Sequence, residues 1–256
     1  MRLQLKTIYL MAVILLSSIP VFLVEPFGQR LSYHLFADQR AYLNIPNFMD
    51  VVSNISFLIF GGIGLVHCFI NDEKWSWKIF FTGIALVSFG SAYYHFAPTN
   101  STLFWDRLPM TIAFMAMFTA MIGEYINSQL EKPFLIIFLI VGVFSVIYWA
   151  LYDDLRFYYW VQLAPMVTLL ILLTFFKSHY THTYFLVFSF ICYLLAKVVE
   201  SNDRLFFDLT GNMISGHSLK HLLAALVPLW VLMMLKKRST RFLNSGAKLF
   251  NDCNIR

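Results

Sequence analysis

Eight long stretches almost free of charge divide this chain, at about 7–24, 48–70, 79–96, 108–126, 134–151, 158–176, 184–199 and 217–235. A bilayer core is crossed by roughly 20 mostly apolar residues in a helix. Lipid offers nothing to an unpaired backbone group, so each stretch is expected to be α-helical. The alternation of a membrane barrel strand is absent. Only 13% of the residues are charged, against roughly 25% in a soluble domain. The expected class is therefore an all-α integral membrane protein, with loops too short for a second domain.

The net charge of +5 does not point to nucleic acid, because the densest basic cluster, Lys236-Lys237-Arg238 with Arg241, directly follows an apolar run. Such clusters orient membrane proteins. With eight spans, one side holds only Arg30, Arg40, Arg107, Arg156 and Arg204. The other holds Arg2, Lys6, Lys74, Lys78, Lys132, Lys177, Lys236, Lys237, Arg238, Arg241, Lys248 and Arg256. Both termini are thus expected in the cytoplasm, with most carboxylates on the outer side. The first run lacks a small-x-small cleavage site and reads as a retained helix. Cys68, Cys192 and Cys253 have no paired spacing, so neither a disulfide framework nor a thiolate metal site is implied.

Two stretches concentrate chemistry. One is Ser91-Ala-Tyr-Tyr-His95, with Asp106 eleven residues on in Trp-Asp-Arg-Leu-Pro-Met; the other is His217-Ser-Leu-Lys-His221. His95 ends the third run, Asp106 sits just before the fourth and His217 begins the eighth, so the topology places all three at the outer face. Residues four apart share a helix face, which pairs Ser91 with His95 and His217 with His221 and leaves Lys220 turned partly aside. Paired histidines at this spacing grip one ion in helical zinc proteases. With His95 they make three protein ligands and one open position, the arrangement of catalytic zinc.

A lone histidine in a membrane helix is most often a hydrogen-bonded interior residue, but polar groups converging at one depth mark function. Haem is disfavoured, since two histidines on one helix cannot clasp opposite faces of it; a proton relay stays open. His34 lies in the outer loop, whereas His67, His179 and His182 fall at the inner side. Lys197 and Glu200 are expected to pair, and Glu200, Asp203 and Arg204 to form a structural network or hold a head group.

The pattern Ser-x-x-x-His, an Asp eleven residues on followed by x-Leu-Pro-Met, and a late His-x-x-x-His resembles the alkaline ceramidase family. That family belongs to a superfamily of seven-helix hydrolases that includes the progestin and adiponectin receptors and the haemolysin III-like proteins. The resemblance spans about 38–235 and implies a seven-helix membrane domain there. Residues 1–37 then form an added N-terminal helix and loop, and 236–256 a basic cytoplasmic tail. It also implies zinc held by His95, His217 and His221, catalytic roles for Ser91 and Asp106, and cleavage of the ceramide amide into a sphingoid base and a fatty acid. Animal members carry an acidic calcium-binding segment before the core. Here that loop offers only Asp38, Asn44, Asn47 and Asp50, with Arg40 opposing a cation, so a calcium ion is disfavoured.

The expected chemistry is metal-assisted attack of water on the amide carbonyl, with Ser91 at the developing oxyanion. Asp106 would move the proton from water to the leaving amine. The alternatives are a non-enzymatic seven-helix receptor or transport-like protein with a structural zinc, and a hydrolase of another lipid amide or ester. The short loops lean the expected location towards a bacterial inner membrane, with the active site at its outer face.

Overall fold

A computed structural model describes residues 8, 12, 14, 16–19 and 21–240. Nine α-helices are delimited among them: α1 (Phe48–Val52), α2 (Ile55–Ile70), α3 (Trp75–Phe96), α4 (Asn100–Tyr125), α5 (Glu131–Tyr152), α6 (Arg156–Phe175), α7 (Tyr184–Ser201), α8 (Asp203–Leu209) and α9 (Gly216–Lys237). No strand occurs among the described residues. Among the described residues, seven helical segments are long and apolar enough to cross a membrane, with α1 and α2 together supplying the first. These are the last seven of the expected runs. The expected span over 7–24 falls partly outside the described residues and is not among these seven, and the tail beyond 240 lies outside them altogether.

The bundle is built around α4, whose most apolar stretch is 78% buried against 28–44% for the other six spans. It packs against α3, α5 and α6, while α9 joins α7 to α2 on the other side. Small residues permit this closeness, as is common where helices meet in lipid. A Cβ on Gly61 of α2 would stand 2.6 Å from the Ala85 backbone nitrogen of α3.

One boundary differs from the sequence expectation in a way that matters. The fourth span begins at Asn100, not near 108, because Thr99 and Thr102 form a reciprocal cap at its start. Each satisfies a backbone N–H that would otherwise lack a partner. Asp106 therefore lies within the second turn of α4 instead of in the loop before it.

The end of the bundle away from His95 closes on an ion-pair network. The Arg238 guanidinium, just past α9, donates to Glu124 of α4 and to Glu73 in the α2–α3 turn. Trp77 Nε1 donates to the same Glu124 oxygen at 2.9 Å, and the Tyr180 ring lies 4.4 Å from the guanidinium. The Glu124 side chain is 0% exposed. Removing one partner of a buried pair strands the other, at a cost of about 3–5 kcal/mol. Arg238→Ala is thus expected to lower thermal stability in detergent sharply, read by intrinsic tryptophan fluorescence. An unchanged melting temperature would show that this end is held by packing alone.

Candidate metal centre and active site

The sequence-predicted histidines meet. His95, the penultimate residue of α3, presents Nε2 to His221 Nε2 at 3.2 Å and to His217 Nε2 at 3.3 Å. All three side chains are buried, and they form a group able to hold a metal ion. Imidazole nitrogens about 2.0–2.1 Å from a tetrahedral ion stand about 3.3 Å apart. Protons alone satisfy this cluster poorly, because His95 Nε2 carries at most one hydrogen for two facing acceptors. The donor set and spacing therefore fit a zinc-like ion, with three ligands supplied by the chain once the Lys220 ammonium, 2.7 Å from His217 Nε2, gives up that lone pair.

Residues of the short α1 and its flanks hold these rings. Ser53 Oγ lies 2.7 Å from His221 Nδ1 and also 3.1 Å from the Asp50 carbonyl. When its one hydrogen goes to that carbonyl, His221 donates from Nδ1, and Nε2 keeps the lone pair that a metal needs. Asn47 Nδ2 donates to the His95 carbonyl at 2.8 Å. Asp50 accepts from Ser215 at 3.1 Å and from Ser218 at 2.5 Å, pinning the start of α9. Asp203 accepts from the backbone N–H of His217 at 2.7 Å and of Ala37 at 2.8 Å. That second bond ties down the loop carrying Phe36, whose ring lies 4.7 Å from that of His95 and 4.8 Å from that of His217. None of these supports has a helical or heptad signature, and Phe36 was not singled out from sequence.

Ser91 and Asp106 come together through one close helix contact. Pro109 has no N–H to return to the Trp105 carbonyl, which loses its intrahelical partner. Gly90 fits against that carbonyl, where a Cβ would overlap the oxygen. The contact brings the next residue on α3, Ser91, to the next on α4, Asp106, and their side chains interact. Both are nearly inaccessible, at 2% and 7% exposure.

Ser91, Asp106 and His221 share the polar end of a cavity of about 190 Å³. Its far walls are apolar and include Phe80, Ile84, Met117, Met166, Leu169 and Phe190. Phe80 lies eleven residues before Ser91 on α3, and Met117 eleven after Asp106 on α4, so the cavity extends about 16 Å along these helices.

Lys220 corrects the sequence reading. Far from turning aside, it reaches back one turn, with Nζ donating to His217 Nε2 at 2.7 Å and to Glu200 at 3.1 Å. The length of a lysine stem allows this, which a face-by-face reading of Cβ directions misses. Glu200 also pairs with Lys197 at 2.9 Å as expected, whereas Arg204 turns to Asp208. His34 spends both ring nitrogens on Tyr94 and Asn100, at 2.9 Å each, and does not join the triad.

The loop before the core does not fit a calcium site. Arg40 occupies both Asp38 oxygens at 2.7 Å, while Asn47 and Asp50 make the contacts above. Burial pushes the Asp38 carboxyl up, but the Arg40 hydrogen bonds and charge outweigh it and hold it below the usual carboxylate range.

Among known proteins, a family model described as Ceramidase matches residues 41–242. No curated protein matches the chain.

Proposed function

The chain belongs to the Ceramidase family, and from that premise we propose that it is a zinc-dependent hydrolase of the amide bond in ceramide or a related lipid amide. The observation that carries this reading is the junction of three parts: a three-histidine cluster, a buried serine–carboxylate pair and an apolar cavity leading away from them. A structural metal site in a receptor-like protein would need neither Ser91 nor Asp106 beside it. An amide hydrolase needs both a stabiliser for the oxyanion and a proton carrier for a poor leaving group.

His95, His217 and His221 would hold the metal, which when bound supplies a Lewis acid for the carbonyl and lowers the pKa of water. The acyl chain lies among the apolar residues between Ser91 and Phe80, which exclude water and fix the carbonyl at the polar end. The Ser91 hydroxyl donates to the oxygen that becomes negative as water adds. Asp106 accepts the proton of the attacking water and returns it to the nitrogen as the C–N bond breaks. The products are a fatty acid and a free amine. The Lys/Arg asymmetry of the loops orients the chain with this end at the outer face and both termini in the cytoplasm, and the short loops favour a bacterial inner membrane.

Purified, zinc-loaded protein is expected to release labelled fatty acid from ceramide in detergent micelles. Ser91→Ala should lower kcat by about 10²–10³-fold, the usual cost of one oxyanion donor, without changing metal content. If the zinc-loaded protein cleaves no lipid amide, the hydrolase reading is wrong.

A further inference from the structure

The polar end of the cavity carries more positive charge than it balances. Its lining includes three cationic side chains, Arg107, Lys197 and Lys220, against two carboxylates, Asp106 and Glu200. Glu200 is already shared by both lysines: Oε2 takes Lys197 at 2.9 Å, and Oε1 takes Lys220 at 3.1 Å and the Tyr33 hydroxyl at 3.3 Å. Lys197 donates to one carboxylate oxygen while its side chain keeps 44% exposure, so its ammonium has hydrogens left to offer. Arg107 makes no ion pair among the described residues. Its guanidinium lies 4.1 Å from the Trp149 ring centroid and 4.6 Å from that of Tyr158, and Nη2 donates to Gln29 at 2.5 Å. Nη1 is buried without a partner.

Surplus charge in a water-poor site is costly unless an opposite charge meets it. Among the described residues, no third carboxylate lines this cavity. Its geometry also orders the substrate: the apolar far end takes the acyl chain and Ser91–Asp106 take the amide. The lysines on α7 and α9 then face the portion beyond the amide nitrogen.

We infer that the site selects lipid amides whose amine portion carries an anionic group, a carboxylate or a phosphate, received by Lys197 and Lys220 at the cavity mouth. The inference rests on the hydrolase reading for which end of the substrate lies where. It sharpens that reading with a ranking: acidic N-acyl conjugates are expected to bind more tightly than neutral lipid amides such as ceramide. Lys197 and Lys220 act as specificity-determining residues. Glu200 positions both ammonium groups, and Arg107 adds positive potential from behind.

Equilibrium binding separates this proposal from catalysis, since it reads preference whether or not the amide is cleaved. Labelled N-oleoylglycine is compared with N-oleoylglycinamide, and N-oleoylethanolamine phosphate with N-oleoylethanolamine, on the full-length protein in neutral detergent. Each acidic ligand is expected to bind at least about tenfold more tightly than its neutral counterpart, the scale of one charge-assisted hydrogen bond. The larger of the two ratios identifies carboxylate or phosphate as the preferred anion. Lys197→Gln, distant in sequence from the histidines, should reduce that ratio about tenfold, and Lys220→Gln should do so independently. A merely structural role for either lysine would weaken acidic and neutral ligands alike and leave the ratio in place. Equal binding of acidic and neutral ligands, or a ratio unchanged in both variants, overturns the proposal. Hydrolysis of the same four compounds, scored separately, reports on the hydrolase reading alone.

Discussion

His95→Ala is expected to strip the protein of zinc and to reduce fatty-acid release to background. His95 is the histidine whose Nε2 faces both of the others, at 3.2 and 3.3 Å, and it is the only one contributed by α3. Without it, His217 and His221 remain as two ligands on one helix, next to a Lys220 ammonium that already engages His217 Nε2. Two imidazoles beside a competing cation hold a divalent ion far less firmly than three in tetrahedral array. Metal analysis after dialysis against a weak chelator should find about one zinc per parent chain and none in the variant. A thermal melt of both proteins separates loss of the ligand from loss of the fold. Retention of stoichiometric zinc together with undiminished hydrolysis in His95→Ala would refute the assignment of this cluster as the metal centre.

Asp106→Asn is the second large expectation, and it isolates proton transfer. Asparagine matches the size of the carboxylate and can still interact with Ser91, so α3 and α4 keep their contact at Gly90 and Trp105. It cannot accept a proton from water. Loss of a positioned acid–base group lowers kcat by about 10²–10⁴-fold, and because Asp106 is not one of the three histidine donors, zinc content should stay at the parent value. The split between intact metal and lost turnover is the diagnostic. Activity within a few-fold of the parent would transfer the proton-carrying role to another group.

Much of this site was legible in the chain because its chemistry follows helix periodicity. His217 and His221 share a face at four residues' spacing. Counting spans brings His95, Asp106 and His217 to one end of any antiparallel bundle. What stayed hidden was local and non-periodic. Thr99 and Thr102 extend α4 backwards through a side-chain cap, moving Asp106 from a loop into a helical turn. Ser53, Asn47 and Phe36 reach the histidines from a segment with no chemical signature of its own. Lys220 acts through the reach of its stem, which spacing does not report.

Sequence by itself determined that this chain forms helices long and apolar enough to cross a membrane, since long charge-poor runs have no other way to satisfy their backbones in lipid. It also determined which residues could share an end. The tertiary structure alone decided that the three Nε2 atoms stand at metal-binding separation, because that distance depends on how closely α3 approaches α9. It decided, too, that Ser91 meets Asp106, through a glycine packed on a carbonyl that a proline leaves free. And it set two lysines around one glutamate at the cavity mouth. Contacts between helices depend on side-chain volume and backbone approach at single positions, and those quantities are settled only when the helices pack.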